Sequence, residues 1–163
     1  MRKVRIIVTG GTLDKVHDPR TEGLGFAPDG TSHVPAMLVA ARCDHPAVER
    51  LMLKDSLEFD DADRDRIAEA VTRSPEDALV VTHGTGTMAE TARHLMARVP
   101  GKTVVLTGAM RPWSLGRSDA AFNLGGAILA AQLLGEGVWG VMNGRAIPAS
   151  DLRKNVEAGR FDI

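Results

Sequence analysis

The chain has 163 residues, enough for one domain with a real core. Hydrophobic residues make up 44% and charged residues 25%, ordinary values for a soluble globular protein, and the formal net charge is -1. A charge so small draws the chain to neither nucleic acid nor an anionic membrane, and no apolar run approaches the roughly 18–20 residues that span a bilayer.

No N-terminal basic-then-apolar segment with a small-residue cleavage site is present. Arg2-Lys3-Val4-Arg5 is too short for a nucleic-acid arm and reads as a solvated strand edge. Cys43 is the single cysteine, so no internal disulfide forms, which fits a reducing, cytoplasmic location. Tyrosine is absent, so a mechanism that needs a phenol must find another group.

Residues 4–8 (Val-Arg-Ile-Ile-Val) read as a buried strand that ends at a Gly pair. Residues 13–34, rich in Gly, Asp, Pro, Thr and His, read as a long loop. Loops beyond about 12–15 residues are usually functional or disordered, and the position after the first strand marks this one as a candidate lid. A short helix is expected over 35–43, with Pro35 in its first turn. Residues 48–53 read as a second strand. Asp60–Asp63 is an acidic helix start, favoured by the helix dipole. That helix runs to Arg73 with Ile67 and Val71 inward, and Ser74-Pro75 stops it. A third strand follows over 78–82. Thr87 and Glu90 have capping-box spacing. Met88, Thr91, Ala92, Leu95, Met96 and Val99 then recur at helical intervals up to Pro100-Gly101. Residues 103–107 read as a fourth strand and 110–118 as a loop. Residues 119–134 read as a helix with Leu124, Ile128 and Leu133 inward, and 138–142 as a fifth strand. The polar tail, 143–163, reads as irregular with a short helical piece.

Strand–helix alternation of this kind implies a mostly parallel sheet with helices on both faces. The expected fold is a three-layer α/β sandwich, Rossmann-like or flavodoxin-like, in one domain over residues 1–163.

Three Gly/Thr loops each follow an aliphatic run: Thr9-Gly10-Gly11-Thr12, Thr82-His83-Gly84-Thr85-Gly86-Thr87 and Thr107-Gly108-Ala109-Met110-Arg111-Pro112. They place hydroxyls and bare amides at strand ends, where open parallel sheets bind ligands. Thr12 reads either as a turn residue that caps an amide or as a nucleophile that needs a base. Thr85 is not needed for the helix cap and would point into the crevice. The amides of Gly86, Thr87 and Met88 sit where a helix N-terminus favours an anion. Neither loop has a nucleotide-binding signature, and no Gly-x-Ser-x-Gly elbow is present. The five histidines lack metal-ligand spacing, so no metal and no cofactor are expected. His83 reads as a residue that orients its loop.

Taken together, these motifs resemble the bacterial-type L-asparaginase family, which converts asparagine to aspartate and ammonia. The resemblance puts the family's nucleophilic threonine at Thr12 and its second catalytic threonine at Thr85. The third loop, with Ser118-Asp119, Phe122-Asn123-Leu124 and Val141-Met142-Asn143, matches a further stretch. The family's catalytic lysine lies eleven residues beyond that Asn, where Lys154 stands. Asp55-Ser56 resembles the segment that binds the substrate carboxylate. The resemblance thus implies catalytic roles for Thr12, Thr85 and Lys154. It implies substrate binding by Gly11, Asp55, Ser56, Glu58, Gly84 and Gly86, with L-asparagine as substrate and L-aspartate as product. It also implies self-association to a dimer or tetramer, in a short form with no second domain. Alternatives are a non-catalytic amino-acid-binding relic, a glutamine amidase, or the ammonia-supplying subunit of a tRNA amidotransferase.

Three departures stand out. Gly86 replaces the family's Asp, Leu57 occupies an often polar substrate-binding position, and the lid has no tyrosine. Asp14, Lys15, Asp18, Thr21 and Glu22 are candidates for the missing lid function. In the family the Asp binds the substrate ammonium, and losing a hydrogen bond to a charged group costs roughly 1.5–3 kcal/mol. Weak affinity for asparagine is therefore expected unless Glu58 substitutes.

Overall fold

A computed structural model describes residues 1–162. In chain order the elements are β1 (Val4–Gly10), β2 (Val16–Asp18), β3 (Gly23–Gly25), α1 (Val34–Ala40), β4 (Ala47–Lys54), α2 (Asp61–Arg73) and β5 (Ala78–Thr82). There follow α3 (Met88–Met96), β6 (Thr103–Thr107), α4 (Ala120–Leu133), β7 (Gly137–Met142), β8 (Arg145–Pro148), β9 (Arg153–Asn155) and β10 (Arg160–Asp162). Short 3-10 turns occupy Thr12–Asp14, Ser56–Glu58 and Trp113–Leu115.

The central sheet is ordered β4-β1-β5-β6-β7-β8, parallel throughout except for β8, which runs antiparallel to β7. Side-chain alternation divides the core between its two faces. Ile7, Leu79, Val81, Val104 and Leu106 pack against α2 and α3 through Ile67, Val71, Met88 and Leu95. Ile6, Val8, Val80 and Val105 pack against α1 and α4 through Met37, Leu38, Leu124 and Ile128. The result is the expected three-layer α/β sandwich. Its strand order reverses between β1 and β5, and the crevice at such a switch point is where open sheets bind ligands.

Several local expectations are corrected. The long loop after β1 contains the β2–β3 hairpin. The tail is not helical in the described residues: β8 extends the main sheet, and β9 and β10 form a second hairpin. β8 is an edge strand that buries only Ile147 of its four residues, so its sequence carries little apolar signal. Met96 and Leu133 keep the helical period but face solvent, at 52% and 74% exposure. The start of α2 is a reciprocal cap, with Asp60 Oδ1 accepting from Asp63 N (2.9 Å) and Asp63 Oδ2 from Asp60 N (3.2 Å).

Candidate active site

The three Gly/Thr loops lie side by side and touch through backbone. Gly11 has φ of 79°, and a Cβ there would stand 2.4 Å from Gly84 N. Only glycine fits both the torsion and the approach. A Cβ on Gly108 would stand 2.3 Å from His83 O, while His83 N donates to Thr107 O at 2.8 Å. The first loop therefore leans on the second and the second on the third.

His83 is fully buried under its loop. Its Nδ1 lies 2.7 Å from Gly84 O, and a carbonyl only accepts, so Nδ1 carries a proton. Burial pushes its pKa down to about 4. The ring meets Phe59 edge-on at 4.8 Å.

The side-chain contact most relevant to chemistry is that between Lys154 Nζ, which donates, and Thr85 Oγ1, at 2.8 Å. Thr85 comes from the loop after β5 and is buried. Lys154 comes from β9, outside the main sheet. A chain of hydrogen bonds holds that hairpin in place. Asp119 accepts from Met110 N (3.1 and 3.0 Å) and Arg111 N (3.1 Å) of the third loop, and from Asn123 Nδ2 (3.0 Å). Asn123 Nδ2 also donates to Gly108 O (3.0 Å), and its Oδ1 accepts from Asn143 N (3.0 Å). Asn143 Oδ1 accepts from Phe161 N at 3.1 Å, and Phe161 faces Lys154 across the β9–β10 pair. Asn143 has φ of 54°, which Asn tolerates better than most residues. Asp119, Asn123 and Asn143 thus tie the third loop to the lysine strand.

The turn after β4 supports the second loop from the other side. Asp55 caps it, with Oδ1 accepting from Leu57 N at 3.0 Å, and pairs with Lys15, whose ammonium holds the carboxyl below its usual range. Ser56 is buried. Its Oγ accepts from Thr87 N at 3.3 Å, and its carbonyl accepts from Thr87 Oγ1 at 2.7 Å. The expected Thr87 cap therefore does not form: its hydroxyl is taken by a partner distant in sequence, and Glu90 pairs with Arg64 at 3.2 Å. A Cβ at Gly84 would strike Ser56 Oγ at 2.4 Å, so Ser56 sits directly behind this loop. Glu58 is exposed on the turn.

Of the five lid candidates, Lys15 is the one whose side chain reaches the site's supports. Asp14 clamps the base of the hairpin, its Oδ1 accepting from Ser32 Oγ (2.9 Å) and His33 N (2.7 Å), and burial raises its pKa. Asp18 accepts from Arg20 N at 2.9 Å and Thr21 Oγ1 from Gly23 N at 3.4 Å, both within the hairpin turn. Glu22 lies in the same turn with φ of 56°.

Thr85, Gly86 and Lys154 open onto a cleft of about 790 Å³, whose other walls include Leu57, Ala89, Arg93 and Arg153. Thr12 does not line this cleft and lies on the neighbouring loop, as do Ser56, Asp55 and Glu58 on the β4 turn. Sequence reasoning missed Arg93 and Arg153. Arg93 follows Ala89 by four residues on α3, the spacing that puts both on one helix face, so that signal was present.

The family model described as "Asparaginase, N-terminal" matches residues 3–162. A probable periplasmic L-asparaginase of Haemophilus influenzae is 43% identical over 82 residues, 48% of this chain and 24% of that protein. A glutamyl-tRNA(Gln) amidotransferase subunit of Methanococcus vannielii is 31% identical over 149 residues, 88% of this chain and 35% of that protein. The structure of a probable cytoplasmic L-asparaginase from Campylobacter jejuni superposes with a TM-score of 0.81 at 27% identity, covering 94% of this chain and 50% of that one. The chain therefore spans half or less of the length of each of these relatives.

Proposed function

The chain belongs to the asparaginase family, and we propose that it is an amidohydrolase that cleaves the side-chain amide of L-asparagine and related amides, releasing L-aspartate and ammonia. The observation that carries the reading is the 2.8 Å bond between Lys154 Nζ and Thr85 Oγ1, placed at the mouth of a cleft beside the Thr12 loop. A threonine hydroxyl is a weak nucleophile and needs a proton acceptor, a role open to Lys154 as a neutral amine at this distance from Thr85.

In the proposed reaction Thr12 Oγ attacks the amide carbon, and its proton passes through Thr85 to Lys154. Backbone amides of the Gly-rich loops stabilise the oxyanion. The C–N bond breaks, ammonia leaves with a proton from Lys154, and water cleaves the acyl-threonine. The α3 N-terminus holds the substrate carboxylate, and Ser56, buried behind that loop, supports it through Thr87. In a variant of this mechanism Thr85 activates water directly. The two separate on Thr12→Ala and Thr85→Ala with a trapped acyl-enzyme: an adduct on Thr12 supports the first. Full ammonia release by both variants would end the proposal.

The cytoplasm is the proposed location; among the described residues no helix is long and apolar enough to cross a membrane. Self-association to a dimer or tetramer is supported by α4, which has no charged residue and exposes Phe122, Leu129 and Leu133 on its outer face. An active monomer in light scattering would refute that part.

A further inference from the structure

The wall of the cleft beside Thr85 has a composition that bears on what the amidase takes. Its ionisable lining residues are Arg93 and Arg153, both cationic, and Lys154, the proposed proton acceptor; no carboxylate is among them. The carboxylates nearby are engaged elsewhere: Glu90 with Arg64 at 3.2 Å, Asp55 with Lys15, and Asp162 with Arg145 and Arg160 at 3.2 and 2.7 Å. Glu58, Asp151 and Glu157 are exposed and do not line it. The other side chains that line it are the hydroxyl of Ser150 and the hydrocarbon of Leu57, Ala89, Leu152 and Val156. Leu57 lies over Gly86 so closely that a Cβ there would stand 2.7 Å from its Cδ2, with Ala89 and Val156 alongside.

A free amino acid brings an ammonium as well as a carboxylate. An ammonium needs a carboxylate or several acceptors once it leaves water, and like charges disfavour it. This cleft offers cations for the carboxylate and an apolar surface for what adjoins it. We propose that the preferred substrate is an anionic ω-amide whose α-carbon bears hydrogen or a neutral acylamino group in place of an ammonium, the monoamide of succinic acid being the simplest case. The proposal rests on the amidohydrolase reading. The reaction is unchanged: amide and water give a dicarboxylate and ammonia, and no other reactant enters.

The test compares ammonia release from succinamate, N-acetyl-L-asparagine, L-asparagine and L-glutamine. Calorimetric binding of succinate and L-aspartate to the same protein runs beside it. The expected result is a kcat/KM for succinamate at least tenfold above that for asparagine, and succinate bound more tightly than aspartate. Gly86→Asp reverses both orders, because Leu57 is exposed and its end can yield to the new carboxylate. Asparagine turned over as well as succinamate overturns the inference and leaves the amidohydrolase intact. Release from none of the amides, with succinate still preferred over aspartate, sinks the amidohydrolase reading and supports the selectivity of the cleft. Aspartate bound as tightly as succinate, or neither bound, overturns the inference. So does a Gly86→Asp variant that keeps the succinamate preference.

Discussion

Two hairpins stand outside the main sheet, and they are built differently. β9–β10 carries Lys154 and is anchored along its length. Phe161 and Leu152 are fully buried, Phe161 N is bonded to Asn143, and Asp162 pairs with Asn155, Arg145 and Arg160. β2–β3 follows Thr12 and is anchored at its base, by Asp14 to Ser32 and His33, by Ser114 Oγ to Lys15 O at 2.8 Å, and by Arg50 to Gly30 O. No residue of its two strands is fully buried. The contrast separates a hairpin whose buried anchors can fix a side chain in place from one that can serve as a cover. Precise placement needs buried anchors, and gating needs few of them.

The contrast is broken most sharply at Lys154. Lys154→Met should lower ammonia release by about 10²–10⁴-fold, the usual weight of a positioned acid–base group, with little change in thermal stability. An unchanged rate would remove the hairpin's role.

A second effect concerns the ground on which both hairpins stand. His83 has a folded pKa of about 4 because of burial, below its ordinary 6.5, so the unfolded state takes up the proton first. Its contribution to stability is present above pH 6.5 and is lost as pH falls toward about 4, by about 3 kcal/mol in all. His83→Asn, which can keep the donor to Gly84 O, should flatten that part of the stability curve in urea titrations. A slope unchanged by the substitution would assign the loss to other groups.

Asn143 sharpens the anchoring claim. Asn143→Gly keeps the φ of 54° and loses the acceptor for Phe161 N, which should reduce activity by about two- to tenfold, while Asn143→Asp retains an acceptor and most of the rate. Equal activity of the two would mean that backbone conformation alone matters. The smallest effect is proteolytic. Arg20 at the tip of β2–β3 and Arg160 in β9–β10 are both exposed, yet trypsin should cut first at Arg20. Early cleavage at Arg160 would contradict the ranking of the two hairpins.

Much of the sandwich was legible in the chain. β5 and β6 are unbroken aliphatic runs between turn residues, and the structure places them at the expected bounds. The hairpins were not legible, because strands of three residues show no period and are held by Asn143, Asp14 and their partners rather than by an apolar pattern. Thr87 shows the same limit: its local spacing promised a cap, and a tertiary acceptor, Ser56 O, won. Of the candidate site, Thr85 and Lys154 are named by the family resemblance rather than by spacing, and their side chains lie within hydrogen-bond distance. The cationic lining was not foreseen, since Arg93 and Arg153 come from elements far apart in sequence, and only folding brings them to one cleft.

The most direct measurement is the initial rate of ammonia release from succinamate by the wild-type protein and by Lys154→Met, at equal concentration and with folding checked by circular dichroism. The wild type should show saturable release, and the variant should lose it by about a hundredfold or more. Equal rates from the two folded proteins would contradict the role given to Lys154.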